Sequence, residues 1–165
     1  MSKLLQTAID LAVKAHRGSE DPPGEPYIVH PMRVMLAVSL TADARQDELL
    51  RCVAILHDAI ERAGLTPANL RAAGLPGRVV RAVDLLTHRD GMTYADYVIR
   101  LKPDPLAKPV KIADLLDNAD LRHVTFRAKK PKRDTKRLVR YAASYKFLTD
   151  QMSEKEYLAV MKRGE

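Results

Sequence analysis

The stretch Ala54-Ile55-Leu56-His57-Asp58-Ala59-Ile60-Glu61 decides how the rest of this sequence reads. An adjacent His and Asp sit inside an apolar run, and Glu61 follows one turn later. Burying three such polar side chains costs several kcal/mol unless each finds a partner. A bound metal ion would satisfy them together. Leu49, Val53, Leu56 and Ile60 recur at i, i+4, i+7 and i+11, which predicts a helix through this stretch ending at Gly64. On that helix Glu61 falls on the same side as His57 and Asp58, placed to hold a water beside an ion without ligating it.

Working outward, helical periodicity recurs on both sides. Leu4, Ala8, Leu11, Ala12 and Ala15 predict an amphipathic helix over 3–17, stopped near Gly18. Residues 19–26, with three prolines and Gly24, read as an ordered loop, and Tyr27-Ile28-Val29-His30-Pro31 opens a second apolar helix. Residues 41–46 read as a polar connection. Beyond Gly64, Thr66-Pro67 starts a short helix to about Arg71, and another is predicted over 76–86. Thr93 with Asp96 resembles a capping box, and Asp104-Pro105 starts a helix that Pro109 either kinks or truly begins. Residues 134–149 and 153–162 complete the set. With no alternating strand and no internal repeat, the expected architecture is all-α, a single helical domain over residues 1–165.

Composition sets the outer limits. A chain of 165 residues with 46% apolar and 30% charged residues is large enough for its own core. The one cysteine, Cys52, excludes an intramolecular disulfide and reads as a small core residue. The first residues carry no apolar signal segment and no run of 18 apolar residues occurs, so a cytoplasmic protein without a membrane span is expected. The net charge of +7 is concentrated between Arg122 and Lys146, where ten Lys/Arg face a single acid, Asp134. Such a patch favours polyanions such as nucleotides, or else is a solvated basic helix.

Two further residues extend the His57-Asp58 pair. His30 stands at the start of the preceding helix, and Asp114 is an acid within Lys111-Ile112-Ala113-Asp114-Leu115-Leu116. Two imidazoles and two carboxylates make a mixed nitrogen and oxygen shell that suits Mn²⁺, Fe²⁺, Zn²⁺ or Mg²⁺. Around such an ion Glu61 would orient or deprotonate a water, or protonate a leaving group. Lys111, Arg122, Arg137 and Arg140 are the cations placed to neutralise phosphate charge. Tyr141 reads either as packing against a base or sugar or as core.

The ordered set resembles the HD-domain metal-dependent phosphohydrolases, and more narrowly the hydrolase domain of the RelA/SpoT alarmone enzymes and their small stand-alone relatives. The matching text is Ala15-His16-Arg17-Gly18, Gly24-Glu25-Pro26-Tyr27-Ile28-Val29-His30-Pro31, Leu56-His57-Asp58 with Glu61, and Val110-Lys111-Ile112-Ala113-Asp114 with Asn118. The resemblance implies an all-helical fold with one Mn²⁺-type ion on His30, His57, Asp58 and Asp114. It also implies hydrolysis of a phosphate ester or pyrophosphate, with Glu61 catalytic and Asn118 near the nucleotide sugar. His16 belongs to the matched N-terminal motif, behind the ligands or against phosphate. The chain departs from the family where Arg62 follows Glu61 in place of a second acid, and where Asp21 replaces an arginine of the guanine pocket. Arg62, i+4 from Asp58, is placed to pair with it.

The leading expectation is therefore a phosphohydrolase acting on a nucleotide or related phosphorylated small molecule, including a guanosine polyphosphate. The alternative is a catalytically weakened domain that binds nucleotide as a sensor. A two-iron oxygenase would need further ligands beyond Glu61 and His88, and a nucleic-acid binder rests on the basic segment alone. The oligomeric state is left open, a homo-oligomer included.

Overall fold

The computed structural model describes residues 2–21, 24–38, 43–122 and 131–164. His123, the basic-loop residues Arg127, Lys129 and Lys130, Pro22 and Pro23, and positions 39–42, which include the start of the polar connection, lie outside the described residues. Among the described residues the structure is helical, with one isolated bridge between Glu20 and Pro26, as an all-α chain requires. No helix among them is long and apolar enough to cross a membrane.

Helix α1 (Lys3–Ala15) starts where the Ser2 hydroxyl accepts the amide of Leu5, and it buries Leu5, Ala8 and Ala12. After the 19–27 loop, α2 (Val29–Ala37) carries His30, Pro31 and Val34 inward. The loop closes on itself through Tyr27 N–H to Ser19 O at 2.8 Å, and it turns at Gly24 with φ of 92°, a backbone region that suits glycine. Helix α3 (Ala44–Leu56) is buried from Leu49 onward except at Arg51, on every side. A helix apolar all round belongs in the middle of a bundle. Accordingly α3 packs against α1, α2, α5 (Gly77–Leu86) and α7 (Ala107–Ala119). The short α4 (Pro67–Ala72) leans on α5, and α6 (Tyr94–Leu101) joins α5 to the C-terminal pair α8 (Pro131–Leu148) and α9 (Glu154–Gly164). That pair is locked by the stacked rings of Phe147 and Tyr157, 4.6 Å apart.

Several helix boundaries differ from the sequence expectation. The most consequential is that α3 stops at Leu56 and does not run to Gly64. In a continuing helix the Ala54 carbonyl would receive the amide of Asp58. Here it accepts the Nδ1–H of His57 at 2.8 Å and the His57 amide at 3.5 Å. A side chain competing for a backbone acceptor ends the helix. Residues 57–63 continue as turns, closed by Leu65 N–H to Ala59 O at 3.1 Å. Helix α3 also starts earlier than the polar connection suggested, because Asp43 accepts the amides of Arg45 and Gln46. Helix α7 starts later than Asp104, whose carboxylate caps the amides of Leu106 and Ala107. Pro109 then lies in the first turn, where no N–H is missed. Helix α8 begins at Pro131, three residues before the expected start.

The burial of α3 makes it the most sensitive element. Leu50→Ala is expected to cost about 2–5 kcal/mol in urea unfolding, as for other fully buried leucines. Leu36→Ala, at a side chain left 82% exposed on α2, is expected to stay within about 0.5 kcal/mol.

Candidate metal centre

Three helices that pack on one another in pairs, α2, α3 and α7, bring four side chains to one buried point. His57 caps the C-terminus of α3, Asp58 follows it in the turn, His30 lies in the first turn of α2, and Asp114 sits mid-way along α7. One ligand atom from each of His30, His57 and Asp114 lies within 4.8 Å of the others, and all three residues are buried. The Oδ2 atom of Asp58 joins them, 3.8 Å from His30 Nε2 and 3.5 Å from His57 Nε2. His30 Nε2 is 3.3 Å and His57 Nε2 3.7 Å from Asp114 Oδ1.

The ring orientations favour an ion at this point. A carbonyl only accepts, so the contact with Ala54 O fixes the proton of neutral His57 on Nδ1 and turns the Nε2 lone pair inward. That Nε2 is buried with no hydrogen-bond partner. A buried acceptor left alone costs about 1–3 kcal/mol, which a cation between it and the two carboxylates would relieve. The donor set therefore fits a divalent ion.

Each carboxylate is also tied from behind. Asp114 Oδ2 accepts from the buried ammonium of Lys111 at 2.6 Å, and Asn118 donates to both its side chain and, at 2.9 Å, its carbonyl. Burial would raise the Asp114 pKa, but the charge of Lys111 together with the hydrogen bonds from His30 and His57 holds the acid well below the usual range. Lys111 is shifted up in return: burial opposes its charge, and Asp114 with Tyr94 and Tyr97 more than restores it. Asp58 accepts from the Tyr27 hydroxyl, and the Arg62 Nε lies 3.5 Å from its Oδ2. The Arg62 guanidinium sits 4.5 Å over the Tyr27 ring. Lys111 and Asn118, expected against phosphate and sugar, thus spend their hydrogen bonds on Asp114, while Arg62 makes the pairing its spacing suggested.

Asp117 is the residue beside the centre that sequence reasoning missed. Its Oδ2 accepts from His30 Nδ1 at 2.8 Å, and Arg33 grips both its oxygens at 2.8 and 3.1 Å. This is a carboxylate–imidazole pairing that orients a ligand ring and fixes its tautomer. Burial would lower the His30 pKa, yet the hydrogen bonds to Asp114 and Asp117 raise it to about 9. The available signal was helical spacing: Asp117 is one turn beyond Asp114, and Arg33 one turn beyond His30. Nothing in the sequence pairs α2 with α7.

The other expected site residues divide. Glu61 is exposed, and its Oε2 accepts the amide of His88 at 3.0 Å. His16 is buried against Tyr27, with ring centroids 5.1 Å apart and no hydrogen bond to either nitrogen; it does not touch His30 as a hydrogen-bond partner. Burial lowers its pKa. Arg140 lies 4.3 Å over the Tyr94 ring, and the half-buried Tyr141 is 5.9 Å from the same guanidinium. Arg137 lies 3.8 Å from the buried Asp134. Lys111 faces Tyr94 and Tyr97, so α8 and α6 bring Arg140 and Tyr141 to the Lys111 side of the centre. Arg122 is not brought in: it is fully exposed and clamps Asp120.

Two outcomes test this geometry. Without metal, His30 carries a pKa of about 9 against its ordinary 6.5, so its contribution to stability is full below pH 6.5 and lost as pH rises through 9. Divalent ions need neutral imidazole, so the rise in melting temperature given by Mn²⁺ is expected to grow across that interval. A constant rise would remove His30 from the ligand set. Asp117→Ala is expected to weaken Mn²⁺ binding in calorimetry by roughly 10–100-fold, and Asp117→Asn by less, since its amide oxygen still accepts from Nδ1.

No family model matches the chain. It is 28% identical over 140 residues, 80% of its length, to the guanosine-3′,5′-bis(diphosphate) 3′-pyrophosphohydrolase of Aquifex aeolicus (strain VF5), of which that covers 19%. It is 26% identical over 147 residues, 84% of its length, to the GTP pyrophosphokinase of Streptomyces coelicolor, of which that covers 17%. The chain thus spans under a fifth of the length of these curated relatives. Among solved structures, a metazoan ortholog of SpoT that hydrolyses ppGpp superposes with a TM-score of 0.67 at 21% identity, covering 99% of this chain and 96% of that one. The chain is therefore similar in sequence to the ppGpp pyrophosphohydrolase and GTP pyrophosphokinase enzymes over four-fifths of its length, has the fold of the SpoT ortholog, and resembles the RelA/SpoT-type hydrolase domain.

Proposed function

We propose that this chain is a metal-dependent phosphohydrolase of nucleotides, acting on a guanosine polyphosphate of the ppGpp type and releasing pyrophosphate, with residues 1–165 forming one hydrolase domain. The observation that carries the reading is the buried meeting of His30, His57, Asp58 and Asp114, with an unpartnered His57 Nε2 at its centre. The names of the relatives support the substrate class.

In this reading His30, His57, Asp58 and Asp114 hold one divalent ion, Mn²⁺ by preference. When bound, the ion supplies Lewis-acid polarisation of a phosphoryl oxygen. The protein supplies the remainder. Glu61 is the acid–base residue: the His88 amide fixes its Oε2, leaving Oε1 to take the proton of the attacking water. Arg62, Arg137 and Arg140 meet the phosphate charge, and Tyr141 offers a flat wall for base or sugar. Lys111 and Asn118 act through Asp114, and His16 through Tyr27, as positioning residues.

Hydrolysis of guanosine polyphosphates and other nucleotides with Mn²⁺ tests the proposal. Glu61→Gln is expected to lower kcat by about 10²–10⁴-fold, the range for a lost acid–base group, with Mn²⁺ affinity unchanged. Tight nucleotide binding by the native chain with no turnover would replace the hydrolase with a sensor. Arg62→Asp, which restores the acid of the alarmone hydrolases, is expected to raise the rate on guanosine polyphosphates; an unchanged rate would mean that position 62 does not limit it.

A further inference from the structure

A second concave surface lies where α5, the end of α6 and the start of α7 meet, with a cavity volume of about 450 Å³. Arg78, Arg81 and Arg100 line it beside Asp104, with Pro103 and Leu106 among its apolar walls. None of its residues belongs to the metal centre.

The charges in this groove do not cancel. Asp104 is the one acid among the lining residues, and it is already committed. Its Oδ1 caps the amides of Leu106 and Ala107, and its Oδ2 lies 3.7 Å from Arg81 Nε. Arg78 donates to a neutral partner, Gln46, at 3.3 Å. Arg100 is held in place by long contacts of 3.4–3.5 Å from Nη2 to the carbonyls of Asp84, Leu85 and Thr87, at the end of α5. Its Nε is buried without a hydrogen-bond partner. Three guanidinium groups thus face one spent carboxylate, one of them fixed by backbone. Planar guanidinium forks match phosphate oxygens, and proline and leucine walls suit the apolar part of a small ligand.

We infer that this groove is a second anion site, which takes a phosphorylated small molecule of nucleotide size. Leu106 precedes Asp114 by eight residues, about 12 Å along α7, so an occupant would rest on the helix that carries a candidate ligand of the metal centre. The site stands independently of the hydrolase reading.

The test follows amide resonances of the ¹⁵N-labelled full chain, without metal, during titration with inorganic pyrophosphate. The amides of Arg78, Arg81, Arg100 and Leu106 are expected to shift and saturate together. In the Arg78→Ala/Arg81→Ala double variant, both changes being at exposed positions, the affinity read from these amides is expected to fall at least tenfold. Sodium chloride at matched ionic strength is expected to leave them unmoved. The proposal is overturned if these amides fail to saturate at millimolar pyrophosphate, if the double variant binds as the native chain does, or if chloride reproduces the shifts.

Discussion

Two carboxylates, the buried Asp114 and the half-buried Asp58, share one small space between the same two imidazoles. Asp58 and Asp114 both lie within 4 Å of His30 Nε2 and of His57 Nε2. Anions this close repel strongly in a poorly hydrated interior, and the protein must supply positive charge or protonate them. The charges come from three directions: Lys111 beneath Asp114, Arg62 beside Asp58, and the raised proton affinity of His30 and His57 between them. For His57, burial works against the proton, and the charges of Asp58 and Asp114 together outweigh it. Protons on the imidazoles and a divalent ion are competing solutions to the same electrostatic problem. That competition is why affinity for the ion and stability without it must run in opposite directions with pH.

The scaffold exists to hold that constraint. Helix α3 is the buried axis, α2 and α7 lie against it and against each other, and each contributes at least one group to the centre. His57 has two jobs that depend on one another. Its Nδ1 takes the Ala54 carbonyl, which both stops α3 and turns Nε2 toward the carboxylates. Past the break residues 58–63 run as turns, in which Asp58 points to Tyr27 and Arg62 while Glu61 reaches the amide of His88.

The all-helical class and the four converging side chains were legible in the sequence because both rest on local signals. Apolar periodicity marks each helix, and polar residues inside apolar runs stand out at His30, His57 and Asp114. The end of α3 was not legible, since the pattern Leu49, Val53, Leu56, Ile60 continues through the break and only the side chain of His57 disrupts it. Asp117 was missed for another reason. An acid followed by Asn118 near a helix end looks like a surface group until the packing of α2 on α7 places Arg33 and His30 against it. Lys111 and Asn118 carried a second signal of the same kind: helical spacing of i−3 and i+4 ties both to Asp114, beside the phosphate and sugar roles their types suggest.

The supports of the two carboxylates are unequal, and this bears on Arg62. Lys111 is buried, held between Asp114 and the rings of Tyr97 and Tyr94, and removing it would strand a buried anion, a loss of several kcal/mol. Arg62 keeps 56% of its side chain in solvent, reaches Asp58 only at 3.5 Å, and shares Asp58 with the Tyr27 hydroxyl. An exposed pair of that kind contributes little, about 0–1 kcal/mol, and is screened by salt. Asp58 therefore does not need Arg62 to stay ionised once an ion or a protonated imidazole is beside it. Arg62 is thus only loosely committed at the centre, resting on the Tyr27 face and open to any anion that approaches from solvent.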